Sequence, residues 1–213
     1  MIALGIETST PAGSLSLVSS EEGVLASSFV SCLHLKHSNW IISEIDHILK
    51  LSCIKLSEIS GIAVSTGPGS FSGLRVGYAT AQGLSAGLDI PVIGVSTLDT
   101  ISHNICEKDM QVCSIIDARK DRIHIALYRK QRKSSDYITC DLSCLFSLID
   151  QETLFVGPGA PFYKDRIKEK LGALAFFSHS IHNIPQATSV ASLGLLTFKR
   201  KKEGSCLVYG HLD

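Results

Sequence analysis

Short apolar runs separated by polar turns occupy the first thirty residues of the chain. The runs at residues 2–7, 14–19 and 24–30 predict three consecutive strands, and the short connections between them favour antiparallel pairing. From about Ser38 the apolar residues recur every three or four positions, which predicts an amphipathic helix over residues 38–52. The apolar face of this helix contains Ile41, Ile45, Ile48 and Leu49.

A glycine-rich turn follows the next apolar run, at residues 61–64, and leads into a helix of small residues over residues 71–88. Its glycines permit positive φ and close backbone approach, its proline stiffens the turn, and its first serine can cap the helix. The spacing matches neither the dinucleotide fingerprint nor the P-loop, so tight packing of the strand against the helix is the simpler interpretation. We expect the small-residue helix to be buried or to lie at an interface. The motif residues are Gly67, Pro68, Gly69, Ser70 and Gly73.

The second half of the chain mixes short strands and helices. Residues 112–117 and 122–128 predict a β-hairpin, and the mixture as a whole predicts an α/β or α+β protein. A polar junction near residue 108 is the predicted boundary between two lobes, residues 1–108 and 109–213. The other predicted elements are strands at residues 91–95, 153–156 and 173–177 and helices at residues 162–171 and 188–202.

Composition narrows the class of protein. Hydrophobic residues make up 45% and charged residues 19% of the 213, which excludes a disordered or highly charged protein. No apolar run approaches the roughly 18 residues that a membrane helix needs, and the N-terminus lacks a signal-peptide pattern, so we expect a cytoplasmic protein with no membrane partner. The seven cysteines are odd in number and scattered, which favours reduced thiols over a disulfide framework or a zinc site.

The net charge is zero, but the charge is unevenly distributed along the chain. Residues 1–110 contain five Lys/Arg and ten Asp/Glu, whereas residues 111–213 contain fifteen and ten. Two basic runs, at residues 129–133 and 199–202, could contact the phosphates of a nucleic acid. Because no aromatic residues interleave with these runs, solvated surface charge is the favoured interpretation and direct nucleic-acid contact is a secondary one.

The stretch from Ser65 to Gly77, together with Ala-Gln-Gly-Leu at residues 81–84 and Pro-Val-Ile-Gly-Val-Ser-Thr-Leu at residues 91–98, resembles the TsaB (YeaZ) family. This resemblance implies an α/β protein with the actin-like, Hsp70-like (ASKHA) fold, built from two ribonuclease-H-like lobes of which the second is reduced. Weaker matches lie at residues 6–10, 116–119 and 157–159.

The resemblance also implies a function. Family members are regarded as non-catalytic partners of the paralogue TsaD, which with the ATPase TsaE places a threonylcarbamoyl group on the adenosine next to the anticodon of tRNAs. We therefore predict a scaffold or activator that binds TsaD, forms a homodimer when alone, and meets tRNA through the complex rather than acting as an enzyme by itself. The alternative is an independent, small nucleotide-dependent ATPase or phosphotransferase.

The predicted helices at residues 38–52 and 71–87 are the expected partner-binding surface. Small residues permit close approach of another helix, and the aromatic and isoleucine residues at the start of the first helix exceed what one internal face needs. Arg75 could pair with a carboxylate of the partner or of its own lobe. The candidate interface residues are His37, Trp40, Ile41, Ile42, Ile45, Arg75, Tyr78 and Gln82.

A nucleotide site is the weakest of these expectations. In actin-like proteins the loop after the first strand approaches the nucleotide phosphates, which makes Glu7, Thr8 and Asp117 candidates for binding ATP or ADP with magnesium at the complex interface. A glutamate at a strand end is more often hydrogen-bonded locally. His34 and His37 lack the one-turn spacing with which TsaD paralogues hold a metal, so we predict no metal site.

Overall fold

The computed structural model describes residues 1–31, 36–105 and 109–202. His34 and the junction around residue 108 lie outside these described residues. No helix in the described part of the chain is both long enough and apolar enough to cross a membrane. The α-helices of the described residues are α1 (Ile41–Leu51), α2 (Phe71–Leu88), α3 (Thr97–His103), α4 (Leu142–Leu148), α5 (Gly159–Leu171) and α6 (Ala187–Lys202).

The chain divides into two compact units. The first unit comprises Met1–Thr100 and the chain from Gln186 onward, and the second comprises Ile101–Pro185. This division differs from the predicted one, because α6 belongs with the first unit instead of completing the second. Burial explains the difference: Val190, Ala191 and Leu195 of α6 pack in one apolar cluster with residues of the first sheet.

A five-stranded sheet forms the centre of the first unit. Its strands are β1 (Ile2–Glu7), β2 (Gly13–Ser19), β3 (Gly23–Val30), β4 (Ile59–Ser65) and β5 (Val92–Val95). Their order is β3-β2-β1-β4-β5. The first three strands pair antiparallel, as their short connections predicted, whereas β4 runs parallel to β1 and to β5.

Each face of this sheet has its own helices because side chains alternate across a strand. Leu4 and Ile6 of β1 belong to an apolar cluster with α1 and α2, as do Leu15 and Leu17 of β2. Ala3, from the opposite face of β1, belongs to the cluster with α6. Ordinary alternation in the strands therefore builds a three-layer unit with α1 and α2 on one side and α6 on the other.

The second unit is built on a sheet with the same plan. Its strands are β6 (Gln111–Asp117), β7 (Ile123–Arg129), β8 (Arg132–Lys133), β9 (Ile138–Cys140), β10 (Thr153–Val156) and β11 (Ala175–Phe177). Their order is β11-β10-β6-β7-β8, and β9 also pairs with β7. As in the first unit, an antiparallel hairpin begins the sheet and two parallel strands extend it beyond the first strand. The predicted hairpin at residues 112–128 is confirmed.

Candidate functional site

The glycine motif lies where β4 ends and α2 begins. Ser70 is the N-cap of α2, and its Oγ accepts a hydrogen bond from the Gly73 N–H at 3.3 Å. The Ser70 N–H donates to the carbonyl oxygen of Ser9 at 2.7 Å, which ties the motif to the loop after β1. The Gly67 carbonyl accepts the N–H of Thr97 at 2.8 Å. The turn is therefore bonded on both sides to its own unit.

Close packing explains three of the glycines in and after the motif. A Cβ at Gly69 would overlap the backbone of Ser9, and one at Gly73 would overlap the carbonyl oxygen of Thr8. A Cβ at Gly77 would overlap Oγ1 of the same threonine. These glycines let α2 lie directly against the end of β1, which agrees with the packing interpretation of the motif.

Packing within the unit does not explain Gly83 and Gly87. A Cβ added at either position would meet no atom within 4 Å, and both residues are exposed. Elsewhere on α2, Phe71 and Tyr78 are among the exposed large hydrophobic residues. Arg75 is also exposed. Its guanidinium carbon lies 3.9 Å from the centre of the Phe71 ring, and it forms no ion pair in the described part of the chain.

The structure separates the candidate interface residues into two groups. Ile42, Arg75, Tyr78 and Gln82 are exposed, and Ile42 is the most accessible isoleucine of α1, with 60% of its surface exposed. The other candidates are buried in their own unit, although Ile45 also lines a groove beside α1. These buried residues are His37, Trp40, Ile41 and Ile45.

Local contacts account for the burial of the first two of these residues. The Trp40 ring packs against Gly13, and a Cβ at Gly13 would overlap the ring. The same ring makes an edge-to-face contact with His37, with 5.6 Å between ring centres. His37 Nε2 lies 2.9 Å from the carbonyl oxygen of Thr10. The expectation that Trp40 and Ile41 supply spare surface is therefore corrected, because the loop after β1 and the sheet already cover them.

A groove of about 390 Å³ lies between α1 and α2 and adjoins Ile42. Its walls include Leu49 of α1, Leu56 after that helix and Leu84 of α2. Sequence reasoning missed the groove and also missed Phe71, although Phe71, Arg75, Tyr78 and Gln82 recur at helical spacing and could have been recognised as one face. We call the exposed set the α1–α2 surface; it consists of Ile42, Phe71, Arg75, Tyr78, Gln82 and the groove.

Glu7, a candidate nucleotide residue, ends β1 and is fully buried. Its Oε1 accepts the N–H of Ser9 at 2.6 Å, whereas Oε2 has no partner with good hydrogen-bond geometry among the described residues. Burial raises the pKa of Glu7 from 4.5 to about 7, and hydrogen bonding with Ser9 and Ser65 opposes only part of the rise.

The Glu7 environment predicts that the wild-type protein loses stability as the pH rises from about 4.5 through 7. Across this range the folded state keeps the proton that the unfolded chain has already released, so the free energy of unfolding falls. At about 1.4 kcal/mol per pKa unit, the loss is about 3 kcal/mol. Glu7→Gln removes this loss, so its stability relative to wild type should rise by about that amount between pH 5 and pH 8.

Urea denaturation of the variant and of wild type at pH 5 and pH 8 gives their free energies of unfolding. Comparing the difference between the two proteins at the two pH values removes any effect of the amide that does not depend on pH. Glu21→Gln is the matched control, because Glu21 is exposed in a turn. An equal stability gap between Glu7→Gln and wild type at pH 5 and pH 8 would show that Glu7 is ionised in the folded protein at both.

The other nucleotide candidates occupy different surroundings. Thr8 is buried with Glu7, and its N–H donates to Oγ of Ser65 at 3.3 Å. Asp117 lies at the end of β6 in the second unit, where its Oδ1 accepts hydrogen bonds from the Tyr163 hydroxyl at 2.6 Å and from the Arg119 N–H at 3.2 Å. Within the described residues, no three His, Cys, Asp or Glu side chains are arranged to hold a metal ion.

Known proteins resemble this chain in both sequence and fold. A family model described as TsaD: tRNA N6-adenosine threonylcarbamoyltransferase matches residues 31–203. A Bacillus subtilis (strain 168) protein named tRNA threonylcarbamoyladenosine biosynthesis protein TsaB is 26% identical over 201 residues, covering 91% of this chain and 87% of that protein. The Escherichia coli (strain K12) protein of the same name is 36% identical over 132 residues. That match covers 61% of this chain and 56% of the relative's own length.

A solved structure extends the likeness to nearly the whole chain. YeaZ from Pseudomonas aeruginosa superposes with a TM-score of 0.80 at 24% identity and covers 98% of this chain and 99% of its own. At that identity the likeness concerns the fold. It confirms the actin-like fold with two ribonuclease-H-like lobes that the sequence resemblance implied.

Proposed function

Because the chain belongs to the TsaB (YeaZ) family, we propose that it acts in the biosynthesis of threonylcarbamoyladenosine in tRNA as a non-catalytic activator of TsaD. In this proposal the first unit binds the homologous unit of TsaD. TsaE is the ATPase of the same assembly, and the adenosine next to the anticodon receives the threonylcarbamoyl group.

The α1–α2 surface is the observation that carries the proposal. Next to this surface, α2 has Gly83 in its interior, where glycine is about 1 kcal/mol less favourable than alanine and no atom of the unit lies close enough to require it. Small residues on an exposed helix face let another helix approach closely. Ile42 adds exposed apolar area at the wall of a groove that could receive a side chain of the partner, and Tyr78 adds exposed apolar area on α2.

The two candidate carboxyl groups already have hydrogen-bond partners within their own units. Glu7 is buried, and burial raises its pKa to about 7. Asp117 already accepts hydrogen bonds from a tyrosine hydroxyl and a backbone N–H. An ATPase that used them would first have to replace these local interactions, so the activator proposal requires less rearrangement than an independent ATPase.

The α1–α2 surface also supports self-association when TsaD is absent. A surface that fits the homologous unit of a paralogue is suited to a two-fold pairing of identical chains, in which each copy presents the same helices. The homodimer and the heterodimer would then compete for one surface. TsaD added to the homodimer should displace one copy of this chain.

Reconstitution of the modification reaction tests the proposal. Labelled threonine is followed into tRNA by TsaD and TsaE supplied with threonylcarbamoyl-adenylate and ATP, with and without this chain. We expect incorporation only when the chain is added, and none from the chain alone. Incorporation at the same rate without the chain would contradict an activating role, and ATP turnover by the isolated chain would favour the independent enzyme.

A further inference from the structure

The hairpin formed by β7 and β8 carries one of the two basic runs of the chain. Its tip reads Arg-Lys-Gln-Arg-Lys at residues 129–133, and all five residues are exposed. None of its four cations forms an ion pair with a carboxylate in the part of the chain that the structure describes. We call residues 129–133 the basic hairpin.

Two features of the basic hairpin oppose its own stability. Arg129 and Arg132 are paired directly across the two strands, and like charges in that position repel each other. Lys130 and Gln131 form the turn between them with φ values of 51° and 59°, a left-handed conformation in which glycine or asparagine is usual. The fold alone explains neither the pair of arginines nor the absence of glycine from the turn. An uncharged pair and a glycine would close the same hairpin more favourably.

An aromatic ring lies against this group of cations. Lys133 Nζ is 3.5 Å from the centre of the Tyr137 ring, and 43% of Tyr137 is exposed. Hydrogen bonds hold the connecting segment in place, because the Ser134 N–H donates to the carbonyl oxygen of Leu127 at 2.8 Å and the Leu127 N–H donates to Ser135 Oγ at 2.9 Å. No aromatic residue lies within the basic run itself, but Tyr137 follows four residues after it, and the structure brings its ring against Lys133.

The cations of α5 provide a contrast within the same unit. Lys164, Lys168 and Lys170 are exposed, but Asp165 and Glu169 alternate with them. Mixed charge of this kind is ordinary for a solvated helix face. Lys164 and Lys168 also lie near a ring, that of Phe177, but at 5.7 and 5.9 Å. The basic hairpin differs because no acidic residue interrupts its run and Lys133 lies directly over an exposed ring, a combination suited to nucleic-acid phosphates and an unpaired base.

We propose that the basic hairpin and Tyr137 bind the phosphate backbone of the tRNA that the complex modifies. This inference rests on the proposed function for the identity of the nucleic acid. The four cations would contact phosphates, and the exposed part of the Tyr137 ring would stack on a base. The chain would thus help to position the tRNA as well as activate its partner.

Binding of an unmodified tRNA transcript to the full chain, measured by fluorescence anisotropy over a range of salt concentrations, tests the inference. Arg129→Ala combined with Arg132→Ala removes two cations and also their mutual repulsion, so the fold should be kept. We expect binding about tenfold weaker at low salt and a log–log salt slope shallower by about 1.5. The matched control, Lys168→Ala with Lys170→Ala, removes two exposed cations from α5 and should leave both quantities near wild type.

Unchanged affinity and slope in the hairpin variant would overturn the inference, as would an equal loss in the α5 variant. Preferential binding of the chain to phosphatidylserine vesicles over tRNA would overturn it in favour of a membrane surface. The reconstituted reaction separates this inference from the proposed function. If the hairpin variant stimulates TsaD with an unchanged KM for tRNA, only the inference fails; if the wild-type chain never stimulates TsaD, the proposed function fails regardless of tRNA binding.

Discussion

Replacing Ile42 with aspartate is expected to abolish binding of the chain to TsaD while leaving the fold intact. The Ile42 side chain is 60% exposed on α1 and borders the groove, so its replacement should change the free energy of unfolding by no more than about 0.5 kcal/mol. In a complex the new carboxylate would be buried without a partner, which costs several kcal/mol. We expect affinity to fall by at least about 100-fold in isothermal titration calorimetry, since each 1.4 kcal/mol is a factor of ten.

A matched control separates loss of the interface from a general effect of surface charge. Val24 is a large aliphatic residue with comparable exposure in the same unit, but it lies on β3 at the edge of the sheet. Val24→Asp should therefore bind TsaD like wild type. Retained affinity in Ile42→Asp, with unchanged stability, would remove the α1–α2 surface from consideration. Ile41→Asp cannot serve here, because Ile41 is buried and its replacement would unfold the unit.

Replacing Gly73 with alanine is expected to destabilise the isolated chain by about 3 kcal/mol. A Cβ at this position would overlap the carbonyl oxygen of Thr8, which belongs to the backbone at the end of β1 and cannot rotate away. The first turn of α2 would have to move off the sheet and loosen the contacts around it. The midpoint of urea denaturation measures the change, with the slope checked for constancy.

Gly83 is the control for this prediction, because it lies in the same helix but has open space around it. Gly83→Ala should stabilise the isolated chain by up to about 1 kcal/mol through helix propensity. Equal destabilisation by the two substitutions would mean that α2 tolerates a side chain no better at Gly83 than at Gly73. The packing against β1 would then not explain Gly73. A neutral Gly73→Ala would show that α2 is not held against β1 as described.

The sequence predicted most of the local structure of the first unit because its signals act over short distances. Alternating apolar residues identified the first three strands, and the glycine motif identified the start of α2, where Ser70 is indeed the cap. The packing interpretation of the motif also agrees with the structure, since Gly69 and Gly73 have no room for a side chain. The family resemblance supplied the actin-like fold, which periodicity by itself left between α/β and α+β.

Contacts between distant parts of the chain decided what the sequence pattern left open. Periodicity already put Ile41 on the apolar face of α1 and left Ile42 off it, but only the fold shows that the loop after β1 covers Trp40. The helix α6 joins the first unit because its apolar side chains fit the sheet face opposite α1, a choice that no local signal records. The sequence by itself determined the elements and the family, because these depend on neighbouring residues; tertiary structure decided which side chains remain available to a partner, because burial depends on what packs against each of them.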